Sequence, residues 1–219
     1  MKVAPGFYVR QYALGLVARS LACCLAAILL MLLLRHVGPT WPSLPILAMS
    51  TAFLIAEYKY FREADRWADG YVGETAVARV LKPLEQEGYS VLGPRRLGHH
   101  GDIDQVVVGP TGLFAIEIKA WNGRIEWRGD ELFVNGRART RKVRKVSGHA
   151  MELRRRVPEG LELGWVEAVT VFAKAFPSVG CRHKKSYWTV PSEDLVGFIR
   201  SRRARLTEEE CAWIAASLH

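Results

Sequence analysis

The sequence predicts an α/β fold behind an N-terminal transmembrane helical hairpin. Three observations carry that prediction. Two uncharged apolar runs open the chain, apolar strand-like runs separated by turn signals fill its middle, and helical spacing brackets those runs on both sides.

The first apolar run is "SLACCLAAILLMLLL", residues 20–34, and it extends back to Ala13 if Arg19 snorkels. The second, Leu44 to Ala56, approaches the ~20 residues of a span only when Trp41 to Tyr58 is counted with its aromatic ends. Two spans are therefore expected, about 13–34 and 41–58. A secretory signal fits poorly, because no polar, small-residue cleavage region follows the first run. Lys2, Arg10 and Arg19 precede the pair, Lys59 and Arg62 follow it, and the connecting loop holds only Arg35. That bias places both ends in the cytoplasm. Residues 1–60 are thus expected to anchor the chain in the cell membrane, with residues 61–219 facing the cytoplasm.

Lys and Arg number 31 against 22 Asp and Glu, and the sequence pI is near 9.6, which favours polyanionic partners: nucleic acid or an anionic leaflet. The four cysteines have neither zinc-ligand spacing nor the pattern of a secreted disulfide framework.

From about Phe61 the composition is that of a soluble domain. "DGYVGETAVARVLKPLEQEG" sets Val72, Ala76, Val80 and Leu84 at helical spacing, and Pro83 is expected to kink or end that helix. Strands follow at Ser90–Leu92, Ile103–Val108, Leu113–Lys119, Arg124–Trp127 and Leu132–Val134. A helix from Arg141 to Arg156 comes next, then the strands "VEAVTVFA" and "SYWTVP". Two helices close the chain, with Ser192 and Thr207 as expected caps; Thr207 and Glu210 form a capping box.

The charged ends of the middle strands carry the functional signal. "GPTG", residues 109–112, reads as the turn of a β-hairpin. With Val108 facing Leu113, Asp104 lies opposite Glu117 and Asp102 opposite Lys119, with Cβ atoms ~5 Å apart. Period two puts all four on one face; Val106, Val108, Leu113 and Ala115 on that face, and Val107, Phe114, Ile116 and Ile118 on the other, are apolar. Two carboxylates facing each other in a partly buried sheet repel. A divalent cation, Mg²⁺ or Mn²⁺, removes that conflict, and a lysine beside it suits phosphodiester hydrolysis. By spacing alone, an Asp102–Lys119 salt bridge at exposed strand ends explains the pattern equally well.

"GETAVARVLKPL", "GDIDQVVVGPTGLFAIEIKAWNGRI" and "LFVNGR" together resemble the NERD (nuclease-related domain) family of the PD-(D/E)xK nuclease superfamily. The resemblance covers roughly Gly70 to Val157, with a fainter continuation to Ala173. It implies a restriction-endonuclease-like central mixed sheet flanked by helices. It also implies Asp104 and Glu117 as metal ligands, Lys119 as the catalytic lysine, and Glu74 as a further acid on the first helix. Asp102 is then an outer partner or a salt-bridge partner of Lys119. Where the family often has a glutamine on the helix after the hairpin, this chain has Lys145.

Nine Lys and Arg lie between Arg137 and Arg156 against Glu152 alone. Arg141, Lys142, Arg144 and Lys145 are the expected contacts to nucleic-acid phosphates; attraction to anionic lipid headgroups explains the same charges. His99 and His100 precede the acidic cluster and are within reach of it in sequence. The expected activity is a membrane-anchored, Mg²⁺- or Mn²⁺-dependent nuclease acting on nucleic acid, DNA first. The alternatives are a catalytically weak nucleic-acid-binding or scaffold module at the membrane, and a lipid-contacting basic domain.

Overall fold

The computed structural model describes residues 43–218 apart from 98–100, 159, 162 and 175–179, together with scattered positions between 14 and 29. Two compact units divide between Tyr71 and Val72.

Helix α1 (Ser43–Leu81) ends where Pro83 removes a backbone donor, and a 3-10 turn, Lys82–Glu87, takes over. Gly88 closes that turn at φ 81°, a left-handed conformation that glycine adopts without strain. The expected second span, 41–58, falls largely on α1. Its apolar part, Leu44 to Ala56, is 13 residues and about 20 Å long, short of the ~30 Å hydrocarbon core. The helix then continues through Glu57, Lys59, Arg62 and Glu63. Among the described residues no helix is long and apolar enough to cross a membrane, so the transmembrane hairpin is not supported. Most of the first expected span, 13–34, lies outside the described residues.

The strands are β1 (Ser90–Leu92), β2 (Arg95–Arg96), β3 (Asp102–Ile103), β4 (Gln105–Gly109), β5 (Gly112–Lys119), β6 (Ile125–Arg128), β7 (Glu131–Val134) and β8 (Arg137–Ala138). Helix α2 (Thr140–Arg156) follows, then β9 (Val166–Phe172), β10 (Arg182–Lys184) and β11 (Tyr187–Pro191). Helices α3 (Leu195–Arg200) and α4 (Glu208–Ser217) complete the chain. Six strands form one mixed sheet in the order β1-β4-β5-β9-β11-β10, parallel at β5/β9 and β9/β11 and antiparallel elsewhere. Strands β6, β7 and β8 form a separate meander, and β2 pairs with β3.

Alternation along the central strands produces two apolar layers. Val106, Val108, Leu113 and Ala115 join Val143, Val146, Ala150 and Leu153 of α2 and Ile214 of α4 in one. Val107, Phe114, Ile116 and Ile118 join Val77 and Leu81 of α1 and Phe198 of α3 in the other. Both faces of β4 and β5 are buried, as their unbroken apolar runs predict. The capping box at Thr207 forms as expected, and Thr207 Oγ1 accepts from the Glu210 amide. Ser192 caps nothing: it lies in a short 3-10 turn, and its hydroxyl donates to Glu193.

Candidate active site

The β4–β5 ladder has the expected register, Val108 opposite Leu113 and Gln105 opposite Ile116, but pairing stops there. The chain bends at Asp104, and the carboxylate Oδ2 accepts the Ile118 amide at 2.6 Å. A side chain thus takes the hydrogen bond that a continuing strand would have made. Asp104 is therefore next to Glu117 and Lys119 without facing them in a ladder, which corrects the expected opposition. The same bend sends Asp102 elsewhere. It pairs with Arg96 across β2 and β3, is exposed, and lies 4.0 Å from the Arg96 guanidinium. The expected Asp102–Lys119 pair is not formed.

Lys119 instead turns to its own strand, its Nζ 2.5 Å from Glu117 Oε1. Both side chains are on the face of β5 that meets α2, as their spacing requires. From α2 comes a residue that the sequence alone did not single out. His149 is fully buried, and its Nδ1 lies 3.3 Å from Glu117 Oε2, off the alignment of a good hydrogen bond. One signal pointed to it: a polar side chain on the buried stripe of α2 beside Val146, Ala150 and Leu153.

Glu74 arrives from α1. One residue earlier, a Cβ on Gly73 would stand 2.6 Å from Ala120 Cβ and 3.1 Å from Ala173 Cβ. Only glycine lets the helix approach the ends of β5 and β9 so closely, and that approach brings Glu74 to the cluster. Burial, then the neighbouring charges of Asp104 and Glu117, raise the Glu74 carboxyl from 4.5 to about 7, against the opposing effect of Lys119. Asp104 retains slight solvent access but has protein atoms on nearly all sides. Burial and the Glu117 charge push its carboxyl upward as well. Burial also raises Glu117, yet His149 and Lys119 more than reverse it and hold that carboxyl low. One firmly ionised acid and two reluctant ones therefore share one lysine.

Such an excess of negative charge is what a divalent cation relieves. Among the described residues no three His, Cys, Asp or Glu side chains are grouped to hold a metal ion. Mg²⁺ requires less, commonly one or two carboxylates completed by water and substrate oxygens. Asp104 and Glu117 fit that smaller demand.

Arg141, Lys142, Arg144 and Lys145 lie on the exposed face of α2, opposite the stripe that includes His149. The Lys145 ammonium bends toward Gly101, 3.5 Å from where a Cβ there would be, so it borders the segment that leads into Asp104. His99 and His100 lie outside the described residues.

The family model described as NERD, nuclease-related domain, matches residues 69–173. That range contains Glu74, Asp104, Glu117, Lys119, His149 and all of α2. No curated protein and no solved structure matches the chain.

Proposed function

We propose that this chain is a divalent-metal-dependent nuclease whose site is the Glu74–Asp104–Glu117–Lys119 cluster. One observation carries the reading: three carboxylates, from α1, from the bend before β4 and from β5, surround a single lysine, and two of them are held well above their ordinary ionisation range. A cluster of that charge is costly to bury for structure alone, and perturbed carboxyls gather at working sites. The matched nuclease-related domain supplies the reaction class.

In this reading Asp104 and Glu117 hold Mg²⁺ or Mn²⁺. The ion, when bound, lowers the pKa of a coordinated water and neutralises charge on the phosphate. Lys119, beside Glu117, would stabilise negative charge that develops on the phosphodiester oxygens. Glu74, its carboxyl raised first by burial, is placed to accept a proton. The outer face of α2 holds the nucleic-acid backbone through phosphates, positioning it without reading sequence. The test is cleavage of plasmid, single-stranded DNA and RNA by the full-length protein with Mg²⁺ or Mn²⁺. Metal-dependent cutting of any substrate supports the reading. Binding without cutting favours a tethered nucleic-acid-binding module.

Membrane association through residues 13–58, with the domain on the cytoplasmic side, is part of the same proposal. Leu14, Leu21, Leu25 and Leu29 expose 59–67% of their surface, an apolar stripe suited to lipid.

A further inference from the structure

The inner face of α2 carries one residue that its packing does not require. Val143, Val146, Ala150 and Leu153 fill the layer against the sheet, and His149 sits among them with no surface exposed. An imidazole enclosed on an apolar face loses its hydration and needs a polar neighbour. At Nδ1 the polar group that faces it is Glu117. Its Oε1 is held by Lys119 Nζ at 2.5 Å and its Oε2 faces His149 Nδ1 at 3.3 Å. The two grips differ in stiffness. Lys119 reaches from the same strand on a flexible four-carbon stem, whereas the His149 ring has two torsions and stands on a 17-residue helix packed along the sheet. Without the second grip, a carboxylate held at one corner by a mobile ammonium keeps its freedom to turn.

We propose that His149 is a positioning residue for Glu117: its Nδ1–H fixes the direction and plane of the Glu117 carboxylate. The role of Glu117 as a metal ligand rests on the function proposed above; the His149–Glu117 contact does not depend on it. Hydrogen bonds in catalytic sites are often long before substrate binds and tighten in the complex. Partners that orient a metal-binding carboxylate typically matter 10–100-fold in metal affinity or activity. Helix α2 then serves two tasks on opposite faces. Its outer cations meet the nucleic acid, and its inner imidazole holds the ligand, so a rigid element spans both.

Two measurements on the full-length protein test this. In the metal-free protein, imidazole ¹⁵N spectra should show His149 protonated at Nδ1, with those resonances displaced in Glu117→Gln. A ring protonated only at Nε2 and indifferent to Glu117→Gln overturns the proposal. The second uses Mn²⁺ as the probe with His149→Asn and His149→Leu. The asparagine amide nitrogen takes the place of Nδ1, so Mn²⁺ affinity should stay near the wild-type value. Leucine should weaken it about 10–100-fold while cooperative melting and DNA binding persist. Equal loss in both variants, or loss in neither, overturns the positioning role. A wild-type protein that binds no Mn²⁺ refutes the metal-dependent reading, and the imidazole spectra still decide whether His149 holds Glu117.

Discussion

Strand β5 obeys two different rules along its length. From Leu113 to Ile116 it pairs with β4 on one side and β9 on the other, and every side chain is apolar and enclosed. From Glu117 to Lys119 it keeps β9 but loses β4, because the chain leaves the ladder at Asp104. In the first part an apolar layer covers each face of the strand, so its side chains meet only apolar neighbours. Ending one ladder frees the Ile118 amide, which a carboxylate can satisfy, and opens a gap where acids from α1 and the β4 approach converge. The apolar half stabilises the fold. The charged half adds little to it and carries the polar groups of the candidate site.

Substitutions should separate the halves. The largest effect is expected from Lys119→Ala, which should lower cleavage by about 10³-fold or more, equivalent to ~4 kcal/mol of transition-state stabilisation, with the fold intact. Metal-induced stabilisation should survive in that variant. Initial rates beside melting curves check both points. In the apolar half, Phe114→Ala should cost about 3–5 kcal/mol of stability, read by denaturant unfolding, because a fully buried ring leaves a cavity. Phe114→Ala losing activity without losing stability would erase the division.

A smaller effect belongs to the outer face of α2. Replacing Arg141, Lys142, Arg144 and Lys145 together should weaken duplex DNA binding and flatten its salt dependence by about 0.9 log units for each phosphate no longer neutralised. Unchanged DNA binding with reduced liposome association assigns that face to lipid instead. Smallest is the pH effect on the metal-free protein. Glu74 has a folded-state value about 7 against 4.5 when unfolded, so the native state retains a proton that the unfolded chain releases. That stabilisation is complete below 4.5 and is lost as pH rises through 7; Asp104 acts in the same direction. Glu117, held low, changes stability only below this window. Thermal melts from pH 5 to 8 should therefore show falling stability, and Glu74→Gln should flatten the curve.

The same division explains what was readable in the sequence. Where burial dictates residue type, long apolar runs revealed β4 and β5 as strands buried on both faces, and the turn at Gly109–Gly112 set their register. Pro83 marked the end of α1 and Thr207 the start of α4, because missing donors and caps act locally. The departures occur where tertiary structure overrides local pattern. Asp104 leaves the ladder for an amide one strand away, and Asp102 follows it to Arg96. His149 becomes meaningful only when α2 is laid across β5. Strand β10, the polar run Arg182–Lys184, has no apolar alternation to reveal it and is fixed by pairing with β11. Helix α1 continues through residues 57–63, where the change from apolar to charged composition suggested a boundary.

The central claim is that the charges at the end of the hairpin persist because a cation shares them. The direct measurement is the melting temperature of wild type, Asp104→Ala and Glu117→Ala with and without saturating Mn²⁺. Wild type should gain about 2.7 kcal/mol at a hundredfold excess over Kd, and neither variant should respond appreciably. Without metal, both variants should still fold cooperatively: each relieves repulsion but also gives up contacts, the Ile118 amide losing Asp104 and Lys119 and His149 losing Glu117. An unaltered Mn²⁺ response in Glu117→Ala, or loss of folding in Asp104→Ala, would contradict the claim and make these charges structural.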